Sequence, residues 1–254
     1  MTAAVQNAGD QGAELIVLPE LAASGYMFRD RKEAWAASEG LDGPTVETLV
    51  ALSQRHGCVI VSGMCERGVD GQVWNSAVVV EDGRLRAVYR KVHLWGTETL
   101  IFDVGSQQPP VLRTRAGRLS PMICYDAEFP EWVRLAADAG AEIVTVPTAW
   151  PLGPRPATER PLEIHKAQAF AGTYRVYMII AGRCGVERGQ DWIGGSLIVG
   201  PDGYLRAGPA TSAQPSQPAL LLATIDLAEA REKAIGPYND ARTDRRPDLY
   251  GLQS

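Results

Sequence analysis

The chain has 254 residues, 30 acidic against 25 basic, for a net charge of −5, and 45% of them are apolar. That is enough for one sizeable core, and without a basic stripe it argues against nucleic acid or an anionic membrane surface as a partner. The four cysteines, at 58, 65, 124 and 184, form no Cys-x-x-Cys and are too sparse for a disulfide scaffold, so a reducing cytoplasm is expected; no signal peptide and no membrane-spanning apolar run is visible.

In chain order, a helical pattern covers 2 to about 11, and a short apolar strand, 15–18, runs into Pro19-Glu20. Helix 44–56 has Pro44 at its first position and stops at His56-Gly57. Strands are predicted at 59–62, 76–80 and 85–89, then at 119–124, followed by a helix over 130–139 that opens on Pro130. A strand at 143–146, a helix at 163–174 and strands at 176–181, 196–199 and 219–225 complete the pattern. Most of the strands are β-branched and unbroken, as strands covered on both faces are, and their alternation with helices implies helices packed on sheets. Residues 77–87 and 197–207 echo each other, each reading strand, Asp-Gly turn, strand; they are either two unrelated hairpins or matching hairpins in two sheets. Residues 148–161 hold prolines 151, 154, 156 and 161 with Trp150, Arg155 and Arg160, the make-up of a stiff loop that borders a pocket or serves structure alone. The charged tail after about 237 reads as an extended arm.

Three strand ends carry polar residues: Glu20, Lys91 and Cys124. Side chains at the carboxyl ends of strands converge on shared crevices in α/β folds. A carboxylate can take a thiol proton, a thiolate can attack a carbonyl, and an ammonium can hold the developing oxyanion. Taken singly, each has a plain alternative: a helix-capping Glu, a solvated Lys, a packing Cys. Cys124 stands where a strand gives way to a helix, so a sharp, exposed elbow near a positive helix end is expected, favouring thiolate. No His-x-x-x-His or Cys-x-x-Cys spacing joins His56, His93 and His165 to a cysteine, so no metal is expected.

The stretches Ile16-Val-Leu-Pro-Glu20-Leu-Ala-Ala-Ser-Gly-Tyr26, Tyr89-Arg-Lys91-Val-His-Leu-Trp95 and Ile123-Cys124-Tyr-Asp-Ala-Glu-Phe-Pro-Glu131 resemble, in this order, the nitrilase superfamily of carbon–nitrogen hydrolases. The likeness runs over nearly the whole chain, to Asp-Arg-Arg-Pro-Asp-Leu-Tyr250. It implies a single domain, 1–254, folded as an α/β, four-layer α-β-β-α sandwich of two mixed β-sheets, with a C-terminal arm over about 237–254. It also implies a homodimer, or a higher homo-oligomer, that pairs helix layers and exchanges arms. In the site it makes Glu20 the general base, Lys91 the oxyanion stabiliser, Cys124 the nucleophile, Glu98 a second glutamate orienting Lys91, and the Tyr125 N–H a second oxyanion donor. No cofactor is implied. Family members place a strand and a helix before the Pro-Glu motif; here a single helix precedes it, so the usual first strand is expected to be missing. The helix stretch Lys166-Ala-Gln-Ala-Phe-Ala-Gly-Thr-Tyr-Arg175 departs from the family's Arg-Ala-x-Glu-Asn pattern.

Tyr125-Asp126 after the cysteine resembles amidases, ω-amidases and carbamoylases, where nitrilases proper have Trp-Glu. The expected activity is hydrolysis of a small amide, an aliphatic amidase first, with an N-carbamoyl amino acid amidohydrolase or ω-amidase as alternatives and a non-catalytic binding member of the fold as another. Tyr26, Trp95 and Trp150 are candidate pocket walls, or core filling. Arg155, Arg160 or Arg183 would hold a substrate carboxylate in the carbamoylase or ω-amidase readings.

Overall fold

The computed structural model describes residues 1–156, 158–211 and 218–250. Helix α1 (Thr2–Asp10) leads into the short strand β1 (Leu15–Val17). A small helix, α2 (Arg31–Ala37), precedes α3 (Pro44–His56), which starts on its proline and stops at Gly57 in the left-handed conformation, φ 61°. Strands β2 (Val59–Arg67), β3 (Val73–Glu81) and β4 (Arg84–Arg90) follow. With β1 they form a four-stranded sheet, β1-β2-β3-β4, in which β1 and β2 run parallel and the other pairs antiparallel.

After the one-turn helix α4 (Glu98–Ile101) the second sheet begins with β5 (Leu112–Thr114) and β6 (Gly117–Pro121). A 3₁₀ segment (Cys124–Glu128), helix α5 (Pro130–Asp138), β7 (Ile143–Thr148), α6 (Leu162–Tyr174) and β8 (Tyr177–Gly182) come next. Strands β9 (Cys184–Glu187), β10 (Gln190–Val199) and β11 (Leu205–Thr211) complete it. The order is β11-β10-β8-β7-β6-β5, with β6, β7 and β8 parallel, the other pairings antiparallel, and β9 paired to β10. Both sheets are therefore mixed. The predicted hairpins are β3–β4 and β10–β11, one in each sheet. In the first, Asp82 and Gly83 both have positive φ, as a tight two-residue hairpin turn demands.

Side-chain alternation along the strands builds the layers. On β2, Ile60 and Met64 point outward with Val78 and Val80 and meet Val5 and Ala8 of α1 and Val46, Leu49 and Leu52 of α3. The intervening Val59 and Val61, with Val79, point inward and meet Leu119 of the second sheet. On β7, Val144 and Val146 face α5 and α6 through Val133, Ala136, Ile164, Ala167 and Ala171, while Ile143 turns inward with Tyr177. Helices, sheet, sheet, helices is the four-layer sandwich that was expected.

Two expectations fail. Residues 219–225 form no strand and make no backbone hydrogen bond among the described residues. Their apolar pattern would suit a ladder, but β1, paired only with β2 among the described residues, and this segment both line a cavity of about 1030 Å³, through Leu15 and Val17 on β1 and Leu221, Ala223 and Ile225 on the segment. The strand expected at 119–124 is also shorter, ending at Pro121, and the helix beyond is split into the 3₁₀ segment and α5.

The tail carries α7 (Leu227–Arg231), a small hairpin of β12 (Ala234–Gly236) and β13 (Asn239–Asp240), and a final turn, α8 (Pro247–Tyr250). It is largely exposed, with Arg245 bonded to Asp138 of α5 at 2.8 Å; of the expected arm, 251–254 lie outside the described residues. Among the described residues no helix is long and apolar enough to cross a membrane.

Candidate active site

Glu20 sits in the turn that follows β1, pressed against β2 where Gly63 stands. Gly63 N–H donates to the Pro19 carbonyl at 3.2 Å, and Ala22 N–H donates to the Gly63 carbonyl at 3.1 Å. A Cβ at Gly63 would meet Glu20 Cα and Leu21 N at 2.5 Å, so only glycine allows this approach. Leu21 completes the turn at φ 49°.

Lys91 follows β4 directly. Its N–H donates to the Asn75 carbonyl on β3 at 2.9 Å, and its own carbonyl accepts from Gly105 N–H at 2.8 Å. Glu98 is the first residue of α4, and Trp95 N–H donates to its Oε2 at 2.7 Å. The first sheet thus delivers three charged side chains, and all three are buried.

They meet at one point. The Lys91 ammonium donates to Glu20 Oε1 at 2.7 Å and lies within 2.9 Å of both Glu98 oxygens. Asn75 Nδ2 donates to Glu20 Oε1 at 2.7 Å and reaches Glu98 Oε1 at 3.3 Å, and the Tyr26 hydroxyl donates to Glu98 Oε1 at 2.7 Å. Glu20 Oε2 is buried and has no partner among the described residues. Burial raises the Glu20 carboxyl to about 7; the Lys91 charge opposes this and the Glu98 charge adds to it. Lys91 is pulled both ways: burial alone would depress it, but the carboxylates of Glu20 and Glu98 outweigh burial and hold it protonated.

Cys124 comes from the second sheet. Met122 N–H still pairs with the Thr145 carbonyl of β7 at 2.9 Å, and the chain then turns sharply, putting Cys124 at φ 45°. The elbow is present, but it is 6% exposed rather than open. Burial, reinforced by the charge of Glu20, raises the thiol well above its ordinary value, while Lys91, the Thr148 side chain and the Ala149 backbone pull the other way without winning. The expected thiolate is thus a neutral thiol at rest. An elbow position argues for access to a helix end; it says nothing of the layers that close over it. Tyr125 lies in the first turn of the 3₁₀ segment, where N–H groups have no partner inside the helix.

Asp126, buried, locks this elbow to the lysine segment. It accepts from Ile123 N–H at 3.2 Å, Tyr89 hydroxyl at 2.9 Å and His93 N–H at 2.9 Å, and it faces His93 Nδ1 at 2.7 Å. Trp132 Nε1 in turn donates to the Tyr89 hydroxyl at 3.0 Å. Asp126 enters the sequence pattern only as a class marker and Asn75 not at all, so neither bonding role was expected. Asn75 had a signal: an amide inside the apolar run Val73–Glu81 needs partners once buried.

Of the candidate pocket aromatics, Tyr26 reaches the carboxylate cluster through its hydroxyl and packs edge-on against Trp192 at 5.0 Å. Trp95 is 47% exposed and meets Tyr125 edge-on at 4.8 Å. Trp150 is buried in the same apolar cluster as Cys124. Arg155 and Arg160 are exposed on the proline-rich loop. Arg183 is already engaged: Nη2 donates to the carbonyls of Glu20 at 3.1 Å and Leu21 at 2.7 Å, and Nη1 lies 3.3 Å from Glu187. Among the described residues, no group of three or more His, Cys, Asp or Glu side chains is placed to hold a metal ion.

Comparison with known proteins fits this architecture. An amidase from Nesterenkonia sp. AN1, solved as a mutant with acrylamide added to its active-site cysteine, superposes with a TM-score of 0.77 at 29% identity, covering 98% of this chain and 90% of that one. The fold is therefore that of the nitrilase-type amidases. The sequence profile described as carbon-nitrogen hydrolase matches residues 1–234, and the chain belongs to that family, within the nitrilase superfamily of enzymes. Relatives include a nitrilase of Pyrococcus abyssi, 35% identical over 250 residues and spanning 97% of this chain and 89% of its own length. A deaminated glutathione amidase of Mus musculus is 33% identical over 264 residues, spanning 97% of this chain and 77% of its own length.

Proposed function

We propose that the protein hydrolyses the C–N bond of a small linear amide through a thioester on Cys124, with Glu20 as general base and acid, Lys91 and the Tyr125 N–H as oxyanion donors, and Glu98 orienting Lys91. The observation that carries this is the buried Glu20–Lys91–Glu98 cluster beside Cys124, in which one carboxylate oxygen, Glu20 Oε2, is free. An ammonium has three N–H donors. Lys91 donates to one oxygen of Glu20 and to one of Glu98, which leaves a third N–H for substrate.

The steps follow from these charges. As Cys124 sulfur bonds to the amide carbon, its proton passes to Glu20 Oε2 and the carbonyl electrons move onto oxygen, facing Lys91 and Tyr125 N–H. Removing one such donor typically costs roughly 3–4 kcal/mol of barrier. Collapse of the tetrahedral species breaks the C–N bond, and Glu20 returns the proton to the departing amine. A water then attacks the thioester, giving a proton to Glu20; the second collapse frees the acid, and Glu20 reprotonates the sulfur. A base near 7 is matched to this exchange at neutral pH. Deprotonation coupled to attack also suits a thiol that burial keeps neutral until substrate arrives.

The substrate we favour is a neutral aliphatic or aromatic amide, taken up by a homodimer or larger homo-oligomer. Tyr26, Trp95 and Tyr125 supply aromatic surface near the cluster, and Arg183, the one candidate carboxylate clamp at the site, is bonded to backbone carbonyls and Glu187. The test is ammonia release from propionamide, matching nitriles and an N-carbamoyl amino acid, by the native chain and by Cys124→Ala. Turnover is expected on propionamide, with a loss of roughly 10⁴-fold or more in the variant. Turnover that survives the substitution overturns the mechanism, and preference for nitrile or carbamoyl substrates overturns the subclass.

A further inference from the structure

Arg183 and Glu187 belong to the second sheet, yet their polar atoms serve the first. Arg183 stands just past β8, where its N–H donates to the Thr148 carbonyl at 2.9 Å. Thr148 is the residue whose side chain lies against Cys124. From there the guanidinium crosses to the other sheet and closes on the carbonyls of Glu20 and Leu21, the turn that Gly63 supports from below. Glu187 Oε1 accepts from the Tyr26 and Met27 N–H groups at 2.8 and 3.0 Å, and Gly25 lies so close that a Cβ there would meet this oxygen at 2.7 Å. Tyr26 in turn holds Glu98. The pair Arg183–Glu187 therefore touches the backbone that carries Glu20 and Tyr26, whose hydroxyl holds Glu98, while anchored beside the nucleophile.

We propose that Arg183 and Glu187 are positioning residues that fix the distance between the base turn of one sheet and the cysteine elbow of the other. This rests on the amide-hydrolase reading of the same site. A planar guanidinium fork that bonds two adjacent carbonyls through Nη2 while Nη1 faces Glu187 holds the turn's height and tilt together, with a rigidity that a single ammonium on a flexible stem lacks. Loss of the fork lets the turn around Leu21 relax, and Glu20 withdraws from Lys91 and from the sulfur. A misplacement of about 1 Å in a reacting geometry costs on the order of 100-fold. The substrate itself touches neither residue, so its binding is spared.

The experiment compares native protein with Arg183→Met, Arg183→Lys and Glu187→Gln, each checked for native circular dichroism and melting. The expected result for Arg183→Met is a kcat lower by about 100-fold with KM within about threefold, and an acidic limb moved to higher pH because Glu20 loses Lys91's opposing charge. Arg183→Lys keeps the charge but not the planar guanidinium that spans the carbonyls and Glu187, and is expected to fall between. Should Arg183→Met fail to fold, the Lys and Gln variants carry the same readouts. A native kcat and acidic limb in folded Arg183→Lys and Glu187→Gln overturns the proposal, and so does a loss confined to KM, which marks Arg183 as a substrate clamp. Alkylation of Cys124 by iodoacetamide, followed by peptide mass analysis, separates the two readings. If native protein cleaves no amide, the catalytic reading fails, while slower Cys124 alkylation in folded Arg183→Lys than in native protein still supports the positioning role and equal rates refute it.

Discussion

The two sheets contribute to the crevice in opposite ways. The first brings charge, with Glu20, Lys91 and Glu98 buried and bonded to one another and to Asn75 and Tyr26. The second brings a neutral thiol on a bent backbone, set among Met122, Ala127, Val146 and Trp150. The charged half cannot do without its partners, since an unpaired ion in the interior costs several kcal/mol. The thiol half needs none while it stays protonated. In the proposed reaction, proton transfer between them turns an inert sulfur into a nucleophile, and the spacing of the halves sets its rate.

Removing the cation is the harshest way to break this division. Lys91→Met leaves Glu20 and Glu98 side by side without a counter-charge. Hydrolysis is expected to vanish and stability to fall by about 3–5 kcal/mol at pH 8, read by denaturant unfolding. Part of that loss should return at pH 5, as Glu20 takes a proton; an equal loss at both pH values would mean the cluster's charges do not set its stability.

Titrating the base sharpens the comparison. With Glu20 at about 7, log(kcat/KM) should fall with unit slope below that pH, because the protonated carboxyl accepts nothing from sulfur. Stability moves the opposite way for this group. The fold raises its pKa from 4.5 to about 7, so its ionisation disfavours the native state: the cost is absent below 4.5 and complete above 7. A kcat/KM profile flat from 5 to 8 would remove Glu20 from the role of base.

The mildest change, Tyr26→Phe, deletes one bond to Glu98 and leaves the ring on Trp192. It should lower kcat by roughly threefold to tenfold, about the net worth of an ordinary hydrogen bond. A change in KM alone would place Tyr26 among substrate contacts.

The same division explains what the sequence made legible. Pro44, Gly57 and Pro130 mark helix ends by local sterics, and the Asp-Gly turn at 82–83 marks a hairpin the same way, so these were readable. Glu20, Lys91 and Cys124 each stand one to three residues past a strand, and strand ends are legible too. Whether residues 219–225 join a ladder depends on a neighbour, and an apolar pattern reports burial, not pairing. The protonation of Cys124 depends on atoms from both sheets, and the role of Arg183 on carbonyls 163 and 162 residues away. Distances of that kind are set by packing and leave no trace in spacing along the chain.

Gly63 carries the last consequence. Because the turn that carries Glu20 rests directly on its bare Cα, a redesign of the site has one fixed coordinate: a library at the half-exposed Trp95 leaves that turn in place, but a single methyl at 63 would lift the floor under every variant at once.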